Sequence, residues 1–293
     1  MGYASALRRR LLELNGVRAR GMAHGRTWGF EPAIVYAGDA KGHGNFYAES
    51  YKAIVGEPDW AKRLEKVHTQ GRRMKATREH EWRELDTAVS SDALLMNIFC
   101  DPKTMRREGV LRMLGLEGEV RPMFGWKPRV PLKSGKSDCM EADMLLGELM
   151  VEAKLTEHGF QTARVALLER YADFEEVFDV EMLPRVKRKL VEAVDDFAVK
   201  QPEEKMAHYQ LVRGILAAHA TGKSYVVICD GRRPDLLDAW FTVVRAVRVW
   251  ELRTRIKVLT WQELAGELGG GMRGFLRDKY GIVEGVGGGA TGR

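Results

Sequence analysis

The chain has 293 residues, 45% of them hydrophobic and 30% charged, with a formal net charge of +6. That length buries a substantial core, and that balance is ordinary for a globular chain. No apolar run reaches the roughly 18 residues that a membrane-spanning helix needs. Three cysteines, Cys100, Cys139 and Cys229, with no CxxC pair argue against a disulfide framework and a structural zinc site. A reducing cytoplasm is the expected setting. The basic excess favours phosphate-rich partners through counterion release, although charge alone discriminates poorly.

The opening MGYASALRRRLLELNG reads as a basic amphipathic helix, since no uninterrupted apolar segment precedes a small-residue cleavage site. The first 80 residues or so read as a mainly helical, basic region, with a glycine-spaced loop at residues 38–44. Residues 61–85 gather many positive charges into one helical stretch. It is either a solvated face or a phosphate-tracking surface, and Glu65, Glu79, Glu81 and Glu84 dilute its field. Residues 85–99 continue as a more apolar helix that stops at Asp101-Pro102. A short helix around Arg106, Leu111 and Leu114 precedes a strand at 118–124 and a loop at 125–136. Residues 162–220 read as largely helical, interrupted near Pro184 and Pro202. YVVICD (225–230) is a buried strand of the continuous apolar kind. A helix at 235–249, a last strand at 255–260 and a last helix at 262–268 come next, and residues 269–293 read as a glycine-rich flexible tail. This order predicts an α/β fold: a core over 81–268 with a mixed sheet flanked by helices.

The informative stretch is DCMEADMLLGELMVEAKLTE, residues 138–157. It reads as two strands joined at Gly147-Glu148, where glycine in the first central position suits a type II′ turn. Leu146 then pairs with Leu149, Met144 with Val151, and Asp143 with Glu152, with β-carbons about 4.5–5.5 Å apart. Two carboxylates at that spacing can share a divalent cation, and Mg²⁺ usually takes only one or two, leaving room for water and phosphate. Lys154 lies two residues beyond Glu152 and points to the same face. It could hold or deprotonate an attacking water, or offset charge on a phosphate. The same register sets Glu141 opposite Lys154, as a further ligand, a group supporting the ligands, or an ion-pair partner. Alternating Glu and Lys also describes any half-solvated hairpin. The upstream acid at the matching cross-strand position is what raises the pattern above that.

Asp143, eight residues, then Glu152-Ala153-Lys154 resembles the D…(D/E)-x-K signature of the PD-(D/E)XK nuclease superfamily, the restriction-endonuclease-like fold. VSSDALLMNIF (89–99), the segment 141–160 and YQLVRGILAA (209–218) resemble successive blocks of a bacterial restriction-endonuclease-like family within it. The resemblance implies Mg²⁺-dependent hydrolysis of DNA phosphodiester bonds, with Mn²⁺ substituting. It implies metal ligation by Asp143 and Glu152, assistance to water by Lys154, and a site-lining Gln210 beside Tyr209. An acid on an early helix completes such sites, and Glu84, Asp86 and Asp92 are the candidates. The pattern departs at Ala142, where proline precedes the aspartate in the superfamily, and at Asp92, where related sequences favour Gln. DNA is the implied partner, no membrane is involved, and the resemblance admits a homodimer. Arg185, Lys187, Arg188 and Lys189, and a second cluster at Arg245, Arg248, Arg253, Arg255 and Lys257, are candidate contacts to the DNA backbone. The competing reading is an inactive DNA- or partner-binding module on the same fold.

AAHATGKS (217–224) approaches a phosphate-binding loop, but a helix precedes it and a strand comes after, the reverse of the required order. Gly222 is better read as the cap that ends the helix. His158 reads as a surface loop residue, and Trp240, Trp250 and Trp261 as core or helix-packing residues.

Overall fold

The computed structural model describes residues 2–27, 30–39, 42–66, 74–75, 81–187 and 204–285. Its centre is a five-stranded mixed sheet: β1 (Met123–Trp126), β2 (Ala142–Leu146), β3 (Leu149–Ala153), β4 (Ser224–Cys229) and β5 (Ile256–Thr260). They lie in the order β5-β4-β3-β2-β1. The hairpin β2–β3 and its neighbour β1 are antiparallel, whereas β3, β4 and β5 run parallel. Parallel strands covered on both faces read as continuous apolar runs, which is why β4 is buried from Tyr225 to Cys229.

The hairpin has the expected register, Leu146 with Leu149, Leu145 with Met150 and Met144 with Val151. Gly147 has φ +55° while Glu148 stays out of the left-handed region, the signature of a type II′ turn. Alternate side chains then separate two cores. Met150, Tyr225, Val227 and Cys229 face one cluster together with Leu211, Ile215 and Trp240. Met144, Val151, Val226 and Ile228 face the other, with Leu95, Trp261 and Leu276.

The helices that cover this sheet and position its acids are α1 (Tyr3–Arg18), α2 (Pro58–Leu64), α3 (Ser91–Phe99), α4 (Tyr209–Thr221), α5 (Pro234–Val244), α6 (Trp261–Gly266) and α7 (Gly270–Tyr280). In α1 the buried positions Ala4, Leu7, Leu11 and Asn15 recur at helical spacing. Ser90 caps α3 by accepting from the Ala93 N–H, and Thr260 and Glu263 form a capping box at α6. Gly222 ends α4 in the left-handed conformation at φ +67°, as read from the sequence. Helix α1 packs on α7, and the Asn15 side chain donates to the Lys279 carbonyl at 2.9 Å.

Several expectations are corrected. In the described part of 162–220, residues 162–187 and 204–220, helices alternate with a small antiparallel sheet of Thr162–Arg164, Glu204–Ala207 and Arg185–Lys187 that the sequence reading did not expect. Leu168, Tyr171, Phe174, Val177 and Phe178 are buried at helix-like spacing, but only Leu168, Phe174 and Val177 sit on helices, two of one turn each, while Tyr171 and Phe178 make isolated β-bridges, so the period misleads. Helix α2 ends at Leu64, and within 61–85 the described remainder holds two short strands, Met74–Lys75 and Glu81–Trp82. The helix expected over 85–99 begins only at Ser91, after a 3-10 turn at Glu84–Asp86. Residues 269–293 are not wholly a flexible tail, because α7 buries Met272, Phe275, Leu276 and Tyr280. Trp240 and Trp261 are core residues, but Trp250 is exposed. Among the described residues, no helix is long and apolar enough to cross a membrane. The three cysteines are free thiols.

Candidate active site

The hairpin brings its acids to the C-terminal end of β3. Beyond the Met144–Val151 pair, the Asp143 carboxylate Oδ2 accepts the Ala153 N–H at 2.8 Å. Glu152 and Lys154 lie on β3 and just past its end, and both are buried. Lys154 Nζ donates to Glu152 Oε1 at 2.5 Å and lies 5.7 Å from the centre of the Phe160 ring. The lysine's backbone is held at both ends. Its N–H donates to the Ile228 carbonyl, and its own carbonyl accepts from Trp261 Nε1, each at 2.9 Å. Arg233, fully buried, donates to the next carbonyl, that of Leu155, at 3.2 Å.

Helix α3 adds an acid from the other side. Asp92, in its first turn, lies near enough to Asp143 to act on it electrostatically. Its Oδ2 accepts from Lys66 Nζ at 2.7 Å and from Arg63 Nη2 at 3.4 Å. Arg63 Nη1 also donates to Glu141 Oε1 at 3.0 Å, and Lys66 stands 3.5 Å from Glu84. The three candidate early acids therefore part ways. Asp92 shares the field of Asp143, Glu84 supports Lys66, and Asp86 is taken by His43 Nε2 at 3.1 Å. Glu141 does not pair with Lys154: its cations are Arg63, with Lys66 and Lys127 at 3.9 and 4.0 Å.

Six carboxylates (Glu84, Asp92, Glu141, Asp143, Glu152, Glu157) thus meet four cations (Arg63, Lys66, Lys127, Lys154), leaving a formal charge of two negative among the described residues. Asp143 shows the consequence. Burial raises its carboxyl well above the ordinary aspartate range, and the charges of Glu152 and Asp92 raise it further, against Lys154 and the Ala153 N–H. Burial raises Glu84 too, with Asp92 adding to it. For Lys154, burial opposes the charge, but Glu152, Glu157 and Asp143 outweigh it and push the ammonium above the ordinary lysine range. These neighbours favour the charged, donating form of Lys154 in the metal-free site.

Hard carboxylate oxygens carrying two excess negative charges fit a divalent cation such as Mg²⁺ in chemistry. As they stand, one oxygen of each of Asp92, Glu141, Asp143 and Glu152 is engaged by a protein donor. Among the described residues, no three His, Cys, Asp or Glu side chains are grouped so as to hold an ion.

The other residues expected at the site are distributed differently. The Gln210 N–H donates to the carbonyl of Phe160, the residue whose ring lies by Lys154, so α4 starts beside the site. Tyr209 instead faces Arg213, in a cluster where Arg213 and Tyr171 both donate to Asp138. The Arg185 guanidinium is engaged by Glu204 at 2.9 Å and Glu181 at 3.8 Å. The Lys187 side chain and Arg188 and Lys189 lie outside the described residues. His158 is exposed, 3.5 Å from Glu31. Sequence reasoning did not single out Arg63 and Lys66; the only signal was their place in the basic run 61–85.

No curated protein and no solved structure matches the chain. A family model described as Restriction Endonuclease associating with ARP matches residues 17–281. With most of its length matched, and with D…E-x-K acids and lysine gathered at one strand end, the chain belongs to that restriction-endonuclease family.

Proposed function

We propose that the protein is a divalent-metal-dependent nuclease that hydrolyses DNA phosphodiester bonds. The observation that carries this is the convergence of Asp143, Glu152 and Asp92 with a buried, protonated Lys154 at a site two charges too negative to be self-sufficient. Asp143 and Glu152 are the residues that would hold Mg²⁺ or Mn²⁺, with Asp92 completing the set. The ion, when bound, supplies Lewis-acid activation of water and neutralises charge on phosphate. The protein's own part is positional. The β2–β3 register fixes the two acids, and backbone bonds from Trp261 and to Ile228 aim Lys154. As a cation through the neutral range, Lys154 orients water or a phosphate oxygen by donation and offsets developing negative charge. Phe160 lies 5.7 Å from the ammonium, its carbonyl accepts the Gln210 N–H at the start of α4, and the His208 ring packs edge-on against the Phe160 ring.

The test is incubation with plasmid and single-stranded DNA, with Mg²⁺, with Mn²⁺ and with EDTA, for wild type, Asp143→Asn and Glu152→Gln. The reading expects metal-dependent cutting by wild type and loss of it, with DNA binding retained, in both variants. Equal cutting by all three refutes it. One observation favours a rival, an inactive DNA-binding module: every acid is already engaged by a protein cation or N–H. In that case wild type binds DNA, holds no Mn²⁺ and cuts nothing.

A further inference from the structure

Helix α2 and the residues after it reach across to the acids from a distant part of the sequence. Arg63 and Lys66 are largely covered, with side chains 16% and 18% exposed, unlike Lys62 of the same helix at 76%. Their seats are built. The Arg63 guanidinium passes over Gly125 of β1, where a β-carbon would fall 2.4 Å from Nη1 and 3.1 Å from Glu141 Oε1. Gly125 also has φ +70°, so a side chain there is disfavoured by backbone and by space alike. Lys66 is held between Asp92 at 2.7 Å and Glu84 at 3.5 Å.

We propose that Arg63 and Lys66 are the phosphate-binding cations of this site, Lys66 held on Asp92 and Arg63 on Asp92 and Glu141, until a divalent ion takes over the Asp92 charge and loosens both for the DNA backbone. The inference rests on the nuclease reading for its substrate but not for the exchange of charge. A cation that neutralises Asp92 removes the attraction holding Lys66 at 2.7 Å. The released ammonium and guanidinium would remain within a side-chain's reach of the same acids, and so of a phosphate that such an ion would hold there. Arg63 offers the planar fork that suits phosphate, and Lys66 a mobile point charge.

The experiment titrates Mn²⁺ calorimetrically into metal-free protein without DNA, for wild type, Lys66→Met, Lys66→Arg, Arg63→Met and, as a control, the exposed Lys62→Met. The same proteins are then assayed for binding to DNA with Ca²⁺ and for single-turnover cutting with Mg²⁺. Lys66→Met should bind Mn²⁺ about tenfold tighter, the effect of one competing cation removed from a partly covered carboxylate. It should bind DNA more weakly and cut at least about a hundredfold more slowly. Arg63→Met should behave likewise, Lys66→Arg should recover part of the DNA affinity, and Lys62→Met should match wild type throughout. Unchanged or weaker Mn²⁺ binding by Lys66→Met, with Lys66→Arg confirming an intact fold by its melting temperature, overturns the proposal. So does DNA affinity equal to wild type in both Met variants. If wild type itself cuts nothing, the nuclease reading fails, while the Mn²⁺ and Ca²⁺–DNA titrations still decide the exchange.

Discussion

Replacing Asp143 by Asn should stabilise the metal-free protein, against the usual direction for a change near a core. Asn keeps the shape and a carbonyl oxygen to accept the Ala153 N–H, now at 2.8 Å, so only the charge is removed. A cross-strand neighbour at about 5 Å, in an effective dielectric of about 20, repels that charge by about 3 kcal/mol. Asp92 adds to this and Lys154 subtracts. A net gain of about 1–3 kcal/mol is the expectation, or about 2–6 °C in melting temperature at roughly 2 °C per kcal/mol for a chain of this size. The sign with pH comes from the raised carboxyl. Below about pH 4 the side chain is neutral in folded and unfolded states alike and the variant gains nothing. As pH rises through the raised value, wild type must ionise a repelled carboxylate and loses stability that the variant keeps. Thermal melts in EDTA from pH 4 to 8.5 should therefore diverge upward in pH. Adding Mg²⁺ should restore wild type and leave the variant unmoved. A variant no more stable than wild type at pH 8 in EDTA, or a gap constant across pH, would refute the electrostatic account.

Four further expectations can be measured. Lys154→Met leaves Glu152 buried without its cation and should cost about 3–5 kcal/mol in denaturant melts. In metal-free wild type the acids around Lys154 should keep its ammonium charged up to about pH 10 in an NMR titration, and loss of that charge near pH 8 would contradict its role as donor. Trp261→Phe removes the bond to the Lys154 carbonyl and should cost about 1–3 kcal/mol while lowering kcat more than it raises KM; an unchanged kcat would show that this bond does not aim the lysine. Gly214→Ala sets helix propensity, a gain of about 1 kcal/mol, against a β-carbon 2.6 Å from Cζ and Oη of the buried Tyr225. Overpacking at about 1–3 kcal/mol should win, so a melt showing stabilisation would mean that the Tyr225 ring moves freely.

How much of the molecule was legible in its sequence depends on how local each signal is. The hairpin was legible because its turn, register and alternation lie within 20 residues, and strand β4 because five consecutive buried residues need no partner to be recognised. The small sheet was not: Thr162–Arg164 finds its partner more than 40 residues on, and the intervening apolar residues imitate a helix. Asp92 could not be chosen over Glu84 and Asp86 because all three are acids near one helix start. Only the structure shows His43 holding Asp86 from 43 residues away. Arg63 and Lys66 lie 26 to 29 residues before their partner Asp92, inside a charge-rich run that resembles an ordinary solvated face.

The packing of α1 on α7 also governs when the molecule can be finished. Asn15 and Lys279 are joined across 264 residues, and Leu7 and Leu11 share their core with Phe275, Leu276 and Tyr280. A ribosome adding about 5–20 residues per second takes roughly 13 to 50 s to lay down that interval. Throughout it the first helix lacks the cover that α7 gives Leu7 and Leu11, although residues 34–36 can already pack on it and the helix itself is out of the exit tunnel. Closure is thus a late, high-contact-order event. Chaperones that recognise basic segments with an apolar stripe should meet this chain at its first helix, and lose their grip only when the last one arrives.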